Sequence, residues 1–267
     1  MSGDRAFVGP IPELYDRYLG PMLFEPFALD LAGRFAGFEG ALLETAAGTG
    51  RVTRALAQLA GPGATITATD LNEPMLARAA QIVLAPNIRW RQADAQALPF
   101  DDESFDAVVC QFGVMFFPDK AAGFREARRV LKPRGQFVFN VWDSLAANTI
   151  TRVVVAAVAS LFPDDPPRFL ERTPHGYHDK ARIRSELAQA GFGVIQIETV
   201  ALATPARSAG EAASGLCLGS PLRAELEARR PEGLDAVVEV ATEALVREYG
   251  DGAVVGRGQA LVVTANA

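Results

Sequence analysis

The chain has 267 residues, 49% of them apolar and 22% charged, with a formal net charge of −6. This is an ordinary globular composition, long enough to bury a large core without metal or disulfide staples. The acidic balance argues against a nucleic-acid partner, which would want a basic face, and the local run Arg125, Arg128 and Arg129 reads as the solvated side of a helix.

Met1–Pro10 has no apolar core segment and does not read as a signal peptide. Leu14–Phe35 carries apolar residues at helical spacing, interrupted at Gly20-Pro21, which predicts two short helices before the first strand. Gly40–Ala46 is strand one. Arg51–Ala60 is helical, with Val52, Leu56 and Leu59 on one face and Gly61 suited to the C′ position. The β-branched stretch Ala64–Asp70 is strand two, and Asn72 can cap the next helix with Pro74 in its first turn. Asn87–Asp94 is strand three, and strand four lies near Phe105–Phe112. Lys120–Lys132 is a helix closed by Pro133 and Gly135, and Arg134–Asp143 is strand five. Strands and helices alternating in this way predict an α/β fold with a doubly wound parallel sheet.

After Asp143 the rhythm changes. A helix near Ala146–Ala159 leads into the Pro-rich loop Phe162–Asp179, long enough to suspect function. The longest apolar stretch, Val153–Phe162, is too short to span a bilayer. Asp179 caps a helix with Ile183, Leu187 and Ala190 on one face, ended by Gly191. Val194–Leu202 is strand six, Ser208–Tyr249 is helical and charged, and Ala253–Ala265 is a final strand. Residues 1–267 are expected to form one domain: N-terminal helices over 1–40, a core over 41–143, and a helical lid inserted as 144–178 and 205–250. Cys110 and Cys217 make no CxxC or Cys/His pattern, so free thiols in a reducing cytoplasm are expected, with no metal site and no membrane span.

The chemistry-bearing residues sit at predicted strand ends. Glu44, Asp70 and Asp94 each close a strand, one βα unit apart, where an open parallel sheet binds its ligand. The turn Gly48-Thr49-Gly50 lets backbone approach that ligand, because glycine lacks a Cβ and tolerates positive φ. Asp70 is placed to accept from both hydroxyls of a ribose. A dinucleotide site wants G-x-G-x-x-G/A, but the third position is Thr53, and an acid before the turn would repel a pyrophosphate. That acid would attract a cation. S-adenosylmethionine (SAM), with a sulfonium, an ammonium and no phosphate, fits better than a nicotinamide dinucleotide, so an oxidoreductase is the weaker reading.

The stretch Leu42–Asp143 resembles the class I SAM-dependent methyltransferases, especially the ubiquinone/menaquinone-biosynthesis-like (type 11/25) group. The resemblance rests on "LLETAAGTG", "TATDLNEPML", "RQADAQALPF", "FDAVVCQFGVMFFPD" and "REARRVLKPRGQFVFNVW". It implies a Rossmann-like, mostly parallel seven-stranded sheet with an antiparallel last strand and a helical lid. It also implies SAM as cofactor, S-adenosylhomocysteine (SAH) as product and a small-molecule acceptor. Glu44, Ala46, Gly48 and Gly50 would contact the methionine end. Asp70 would hold the ribose, Leu71 and Met75 would pack on the adenine, and Asp94 and Ala95 would read its amino edge. Gln111 and Phe112 would line the methionine side below the methyl. The chain departs from the family at Glu44, where Asp is common, and at Ala47, where Gly or Cys is common.

Methyl transfer is an in-line displacement needing mainly alignment and exclusion of water, with a base where the acceptor must lose a proton. His175 and His178 in the long loop, and Tyr15 in the N-terminal "YDRY", are candidate bases; loop stabilisation and helix packing are the competing roles. Phe162, Phe169, Tyr177, Leu216 and Leu222 suggest an apolar or aromatic acceptor, or else simply form the core of the lid. A SAM-binding protein without catalysis is the remaining alternative.

Overall fold

The computed structural model describes residues 9–230 and 232–267; most of Met1–Pro10, and with it the expectation that it is not a signal peptide, lies outside them. The chain divides into two compact units. One comprises Phe27–Trp142, Tyr177–Val200 and Ala260–Ala267; the other comprises Met1–Pro26, Asp143–Gly176 and Ala201–Gln259.

The first of these units is built on the sheet. In chain order the strands are β1 Ala41–Glu44, β2 Thr65–Asp70, β3 Ile88–Gln92, β4 Phe105–Gln111, β5 Leu131–Trp142, β6 Ile195–Ala206 and β7 Val254–Asn266, and they lie in the order β3-β2-β1-β4-β5-β7-β6. Parallel pairing joins β1 to β2 and β4, β2 to β3, and β4 to β5, whereas β7 runs antiparallel to β5. This is the expected mostly parallel seven-stranded sheet. The strand order reverses between β1 and β4, which makes their carboxyl ends the switch point of the sheet.

Both faces are apolar because side chains alternate along each strand. Leu42, Ile66, Ala107, Val109, Val138 and Val262 share a buried cluster with α2 (Glu25–Gly33) and α3 (Arg51–Leu59), through Ala28, Leu31, Val52 and Leu56. On the opposite face Phe137 and Phe139 meet Phe124 of α5 (Lys120–Val130), and Phe137 also meets Phe192 after α8 (Lys180–Gln189). Asp179 caps α8 as expected, its carboxylate accepting from Ala181 N and Arg182 N, and Gly191 follows in the left-handed region.

Three local expectations need correction. The Gly20-Pro21 pair does not break the N-terminal helix. α1 (Ile11–Leu14) continues into a π-helical stretch, Tyr15–Phe24, and then into α2. The N–H of Glu25 reaches back to Gly20 O, the wider i→i−5 turn that absorbs a residue lacking its own N–H. Second, the helix expected to run to Lys132 ends at Val130, and β5 starts at Leu131 rather than Arg134; its register with β4 shifts between Phe105 and Ala107, so Pro133 lies in an irregular strand entry. Third, Gly61 does not adopt a left-handed C′ conformation. A Cβ there would fall 2.3 Å from Glu39 Oε1, the mobile end of that side chain, and 3.1 Å from Phe38 O.

The second unit is helical: α6 (Thr149–Ser160), α7 (Phe169–Arg172), α9 (Ala209–Leu218), α10 (Leu222–Arg229) and α11 (Leu234–Tyr249) join the N-terminal turns. Val154 and Val158 of α6, Leu216 of α9 and Val237, Ala241 and Leu245 of α11 are buried. Asn148 ties its start to its end, donating to Asp143 O and Gln259 O and accepting from Gln259 N. Phe169, Leu216 and Leu222, and Tyr177 in the sheet unit, are buried as core residues. Among the described residues no helix is long and apolar enough to cross a membrane.

Candidate active site

The sheet unit brings together the tips of β1, β2 and β4. β1 ends on Glu44, which is 1% exposed. Its Oε2 accepts a 2.6 Å hydrogen bond from Thr53 Oγ1, and its backbone carbonyl accepts from Thr69 Oγ1 at 2.9 Å. β2 ends on Asp70, also buried, which accepts 2.8 Å bonds from Gly48 N and Asn72 N. The Asp70 carboxylate therefore clamps the glycine turn to the start of α4 (Glu73–Ile82), where Asn72 occupies the N-cap position and Pro74 the first turn.

Neither buried acid is paired with a lysine or arginine among the described residues. Burial pushes the Glu44 carboxyl up to about 8, against a lowering hydrogen bond from Thr53 and a raising charge on Asp70. Burial also raises Asp70, opposed by the N–H groups of Asn72 and Gly48. Two acids held in this way are short of positive charge. A ligand that brings a sulfonium and an ammonium supplies it, so the residues present fit SAM.

The two glycines of the turn do different work. Both are left-handed, Gly48 at φ 57° and Gly50 at φ 80°. A Cβ at Gly50 would sit 3.0 Å from Ala79 Cβ, 3.1 Å from Val83 Cγ2 and 3.2 Å from the Trp90 ring, so packing of α3 against α4 and β3 requires that glycine. A Cβ at Gly48 would meet only Met75 Cε, at 3.7 Å. Gly48 is the glycine whose bare backbone is open for a ligand. The Thr49 hydroxyl between them is buried without a hydrogen-bond partner among the described residues.

Asp94 lies two residues beyond β3, in a bridge to Ala97, and accepts from Gln96 N and Nε2; β3 itself ends at Gln92 rather than on the acid. Ala95 and Leu71 are half-buried, and Met75 is buried beside the glycine turn. Gln111 ends β4, and Phe112 follows in a left-handed conformation, φ 47°, with its ring stacked on Trp142 at 3.8 Å. Ala46, after β1, is left-handed as well, at φ 54°.

The candidate bases are spread over both units. Tyr15 and His175 belong to the helical unit and His178 to the sheet unit. Tyr15 stacks on Phe24 at 4.7 Å. His175 is buried, with Nδ1 2.8 Å from Asp143 O; a carbonyl only accepts, so Nδ1 carries a proton. His178 is exposed. Sequence reasoning missed three residues: Thr53, used only to argue against a dinucleotide; Asn140, which fixes Phe112; and the strain at Ala46. A polar residue inside an apolar strand, "FVFNVW", was the available signal for Asn140.

Comparison with known proteins gives the family. A family model described as a methyltransferase domain matches residues 43–139. The chain is 32% identical over 183 residues to the ubiquinone/menaquinone biosynthesis C-methyltransferase UbiE of Hahella chejuensis, covering 64% of this chain and 73% of that protein. The chain belongs to the UbiE-like class I SAM-dependent methyltransferases. The counterpart from Pseudomonas fluorescens is 30% identical, with 64% and 71% covered. Among solved structures, phosphoethanolamine N-methyltransferase 2 of Haemonchus contortus in complex with SAM shares the fold at TM-score 0.62 and 17% identity, over 98% of this chain and 58% of that one. The YcgJ protein of Bacillus subtilis does so at TM-score 0.57 and 18% identity, over 90% and 98%. As a family member, the methyltransferase uses SAM and transfers its methyl group to a small-molecule acceptor. The dinucleotide reading has no support here: Thr53, at the third motif position, is fully buried against Glu44.

Proposed function

We propose that the tips of β1, β2 and β4 hold SAM, and that the acceptor is an apolar or aromatic small molecule. The observation that carries this reading is the pair of buried acids, Glu44 and Asp70, without a lysine or arginine partner among the described residues. Glu44, Ala46 and Gly48 take the methionine end, and Gly50, packed against Ala79, Val83 and Trp90, holds the turn that carries them. Asp70, which also holds Gly48 N and Asn72 N, takes the ribose. Leu71 and Met75 pack on the adenine, Asp94 and Ala95 face its amino edge, and Gln111 and Phe112 flank the methionine side.

Bound SAM supplies a methyl group already activated on a sulfonium. The chain's part is to align and to exclude water, with acids buried at the strand tips favouring the cation in a low-dielectric wall. Where the acceptor must lose a proton, the candidate bases are Tyr15, His175 and His178; His175 is the buried histidine, with Nδ1 2.8 Å from Asp143 O. Residues 144–178 and 205–250 select the acceptor. The UbiE relatives are named as C-methyltransferases of quinone biosynthesis, which favours an activated aromatic ring carbon as acceptor here. The two buried free thiols, Cys110 and Cys217, suit a reducing cytoplasm.

The test is turnover of methyl-labelled SAM with a panel of phenols and hydroxyquinones alongside a metabolite extract. Label is expected in an apolar aromatic product. Label only in polar amines would refute the acceptor class, and tight SAM binding with no labelled product in any arm would favour a non-catalytic SAM-binding protein.

A further inference from the structure

Two neighbouring strand tips leave the sheet through left-handed residues that are not glycine: Ala46 after β1 and Phe112 after β4. A side chain disfavours that region, and a ring-bearing one makes it a genuine outlier that its surroundings must hold in place. The two tips touch. A Cβ on Gly113 would fall 2.4 Å from Ala46 Cβ and 2.7 Å from Cys110 Sγ, so the backbone direction set at Phe112 decides how close β4 comes to the β1 turn.

Asn140 holds Phe112. The Phe112 N–H donates to Asn140 Oδ1 at 2.9 Å and to Asn140 O at 3.1 Å. The fixed ring then lies flat on Trp142, 7° from parallel, while Phe27 meets both rings edge-on. Asn140 is 0% exposed on β5, opposite Gln111 in register, and its Nδ2 has no hydrogen-bond partner among the described residues. Burying an amide donor without a partner costs stability, and an apolar residue of similar size would avoid that cost. The oxygen end is the part of this side chain with a task.

We infer that Asn140 is a positioning residue for methyl transfer: its amide oxygen locks Phe112 into the left-handed turn and so sets the contact between Gly113 and Ala46 that shapes the methionine end of the cofactor site. This rests on the reading that the tips of β1 and β4 take SAM.

The test uses the full chain with SAH as the calorimetric probe, far-ultraviolet circular dichroism for the fold and the near-ultraviolet band for the Phe112–Trp142 stack. Asn140→Ser is expected to keep the fold, alter the near-ultraviolet band and weaken SAH at least tenfold. Asn140→Asp keeps an acceptor oxygen and is expected to stay within threefold of the parent. In a Phe112→Gly background, where φ 47° carries no strain, Asn140→Ser is expected to cost less than twofold. Asn140→Ser binding within twofold of the parent, Asn140→Asp failing as badly as Asn140→Ser, or an equal cost in both backgrounds would each overturn the inference. If Asn140→Ser does not fold, Trp142→Leu decides: at least threefold weaker SAH binding is expected, and unchanged affinity overturns the inference. Asp70→Ala, run in parallel, separates the two levels. If it leaves SAH binding unchanged, the assignment of the strand tips itself fails; if it weakens binding and the Asn140 variants do not, the inference alone fails.

Discussion

The Thr53 hydroxyl donates a 2.6 Å hydrogen bond to Glu44, and this is the only side-chain bond that the buried carboxyl makes among the described residues. The partner is neutral, so it does not supply the charge that an ionised carboxylate would want. Burial therefore lifts Glu44 from an ordinary 4.5 to about 8.

Two pH effects follow from that lift. The folded chain keeps a proton on Glu44 that the unfolded chain gives up above about 4.5, so stability contributed by this group is full below that value. It is lost as pH rises toward about 8, and it levels off above. Cofactor binding runs the opposite way. A cation favours the ionised carboxylate, so SAM binding is expected to expel a proton below pH 8 and to tighten as pH climbs from 6 to 8. Calorimetry in buffers of different ionisation enthalpy reads the proton directly. Glu44→Gln keeps the bond from Thr53, removes both dependences and weakens SAM. A pH-independent affinity in the parent would contradict the role given to Glu44.

Asp70→Ala is expected to weaken SAH by about 1–3 kcal/mol, roughly 5- to 150-fold, the usual cost of stranding hydrogen-bond partners. It also removes the acceptor for Gly48 N and Asn72 N, so the melting temperature is expected to fall. Asp70→Asn keeps one oxygen and is expected to fall between the parent and Asp70→Ala in affinity. Unchanged calorimetric affinity in Asp70→Ala would leave the carboxylate as a clamp on the turn and nothing more.

The two glycines of the turn separate folding from binding. Gly50→Ala places a Cβ 3.0–3.2 Å from Ala79, Val83 and Trp90 at φ 80°, and is expected to cost about 2 kcal/mol or more in denaturant unfolding. Gly48→Val meets only Met75 at 3.7 Å, so it is expected to fold with a cost of about 1–2 kcal/mol from its positive φ, yet to lose SAH binding. Retained binding in Gly48→Val would mean that the turn faces no ligand.

Much of this was legible in the chain because its signals are local. Alternating apolar strands and capped helices define the sheet, and acids at strand ends define its carboxyl edge. Asp179 as a cap and the glycine turn needed only neighbours in sequence. The π-helical passage through Gly20 and Pro21 was not legible, because nothing local distinguishes a wider turn from a break. Nor was the long-range service of Asn140 to Phe112, or the contact of Gly113 with Ala46; both depend on β4 lying between β1 and β5. Thr53 illustrates the difference well. Its identity was enough to disfavour a dinucleotide, but its bond to Glu44 needed the tertiary fold.

Ala46 offers a stability test. An alanine at φ 54° carries about 1–2 kcal/mol of left-handed strain that glycine does not, less the greater flexibility glycine gives the unfolded chain. Ala46→Gly is expected to raise unfolding stability by about 0.5–1 kcal/mol in urea while leaving the fold unchanged. A loss of stability would show that the Ala46 methyl, seated over Gly113, contributes more by packing than it costs by strain.

His175 offers the last test, at the level of the chemistry. Its ring is buried with Nδ1 2.8 Å from Asp143 O, and substitution separates a part in proton removal from a part in holding the loop. Once an acceptor is in hand, His175→Gln is expected to lower kcat by about 10²- to 10⁴-fold and to abolish the acidic limb of the rate profile, with SAH affinity within twofold of the parent. His178→Gln, at an exposed position, is expected to change neither. If His175→Gln lowers the melting temperature but leaves kcat and its pH profile intact, the bond to Asp143 O is the whole function of that side chain, and the acceptor loses its proton without a histidine.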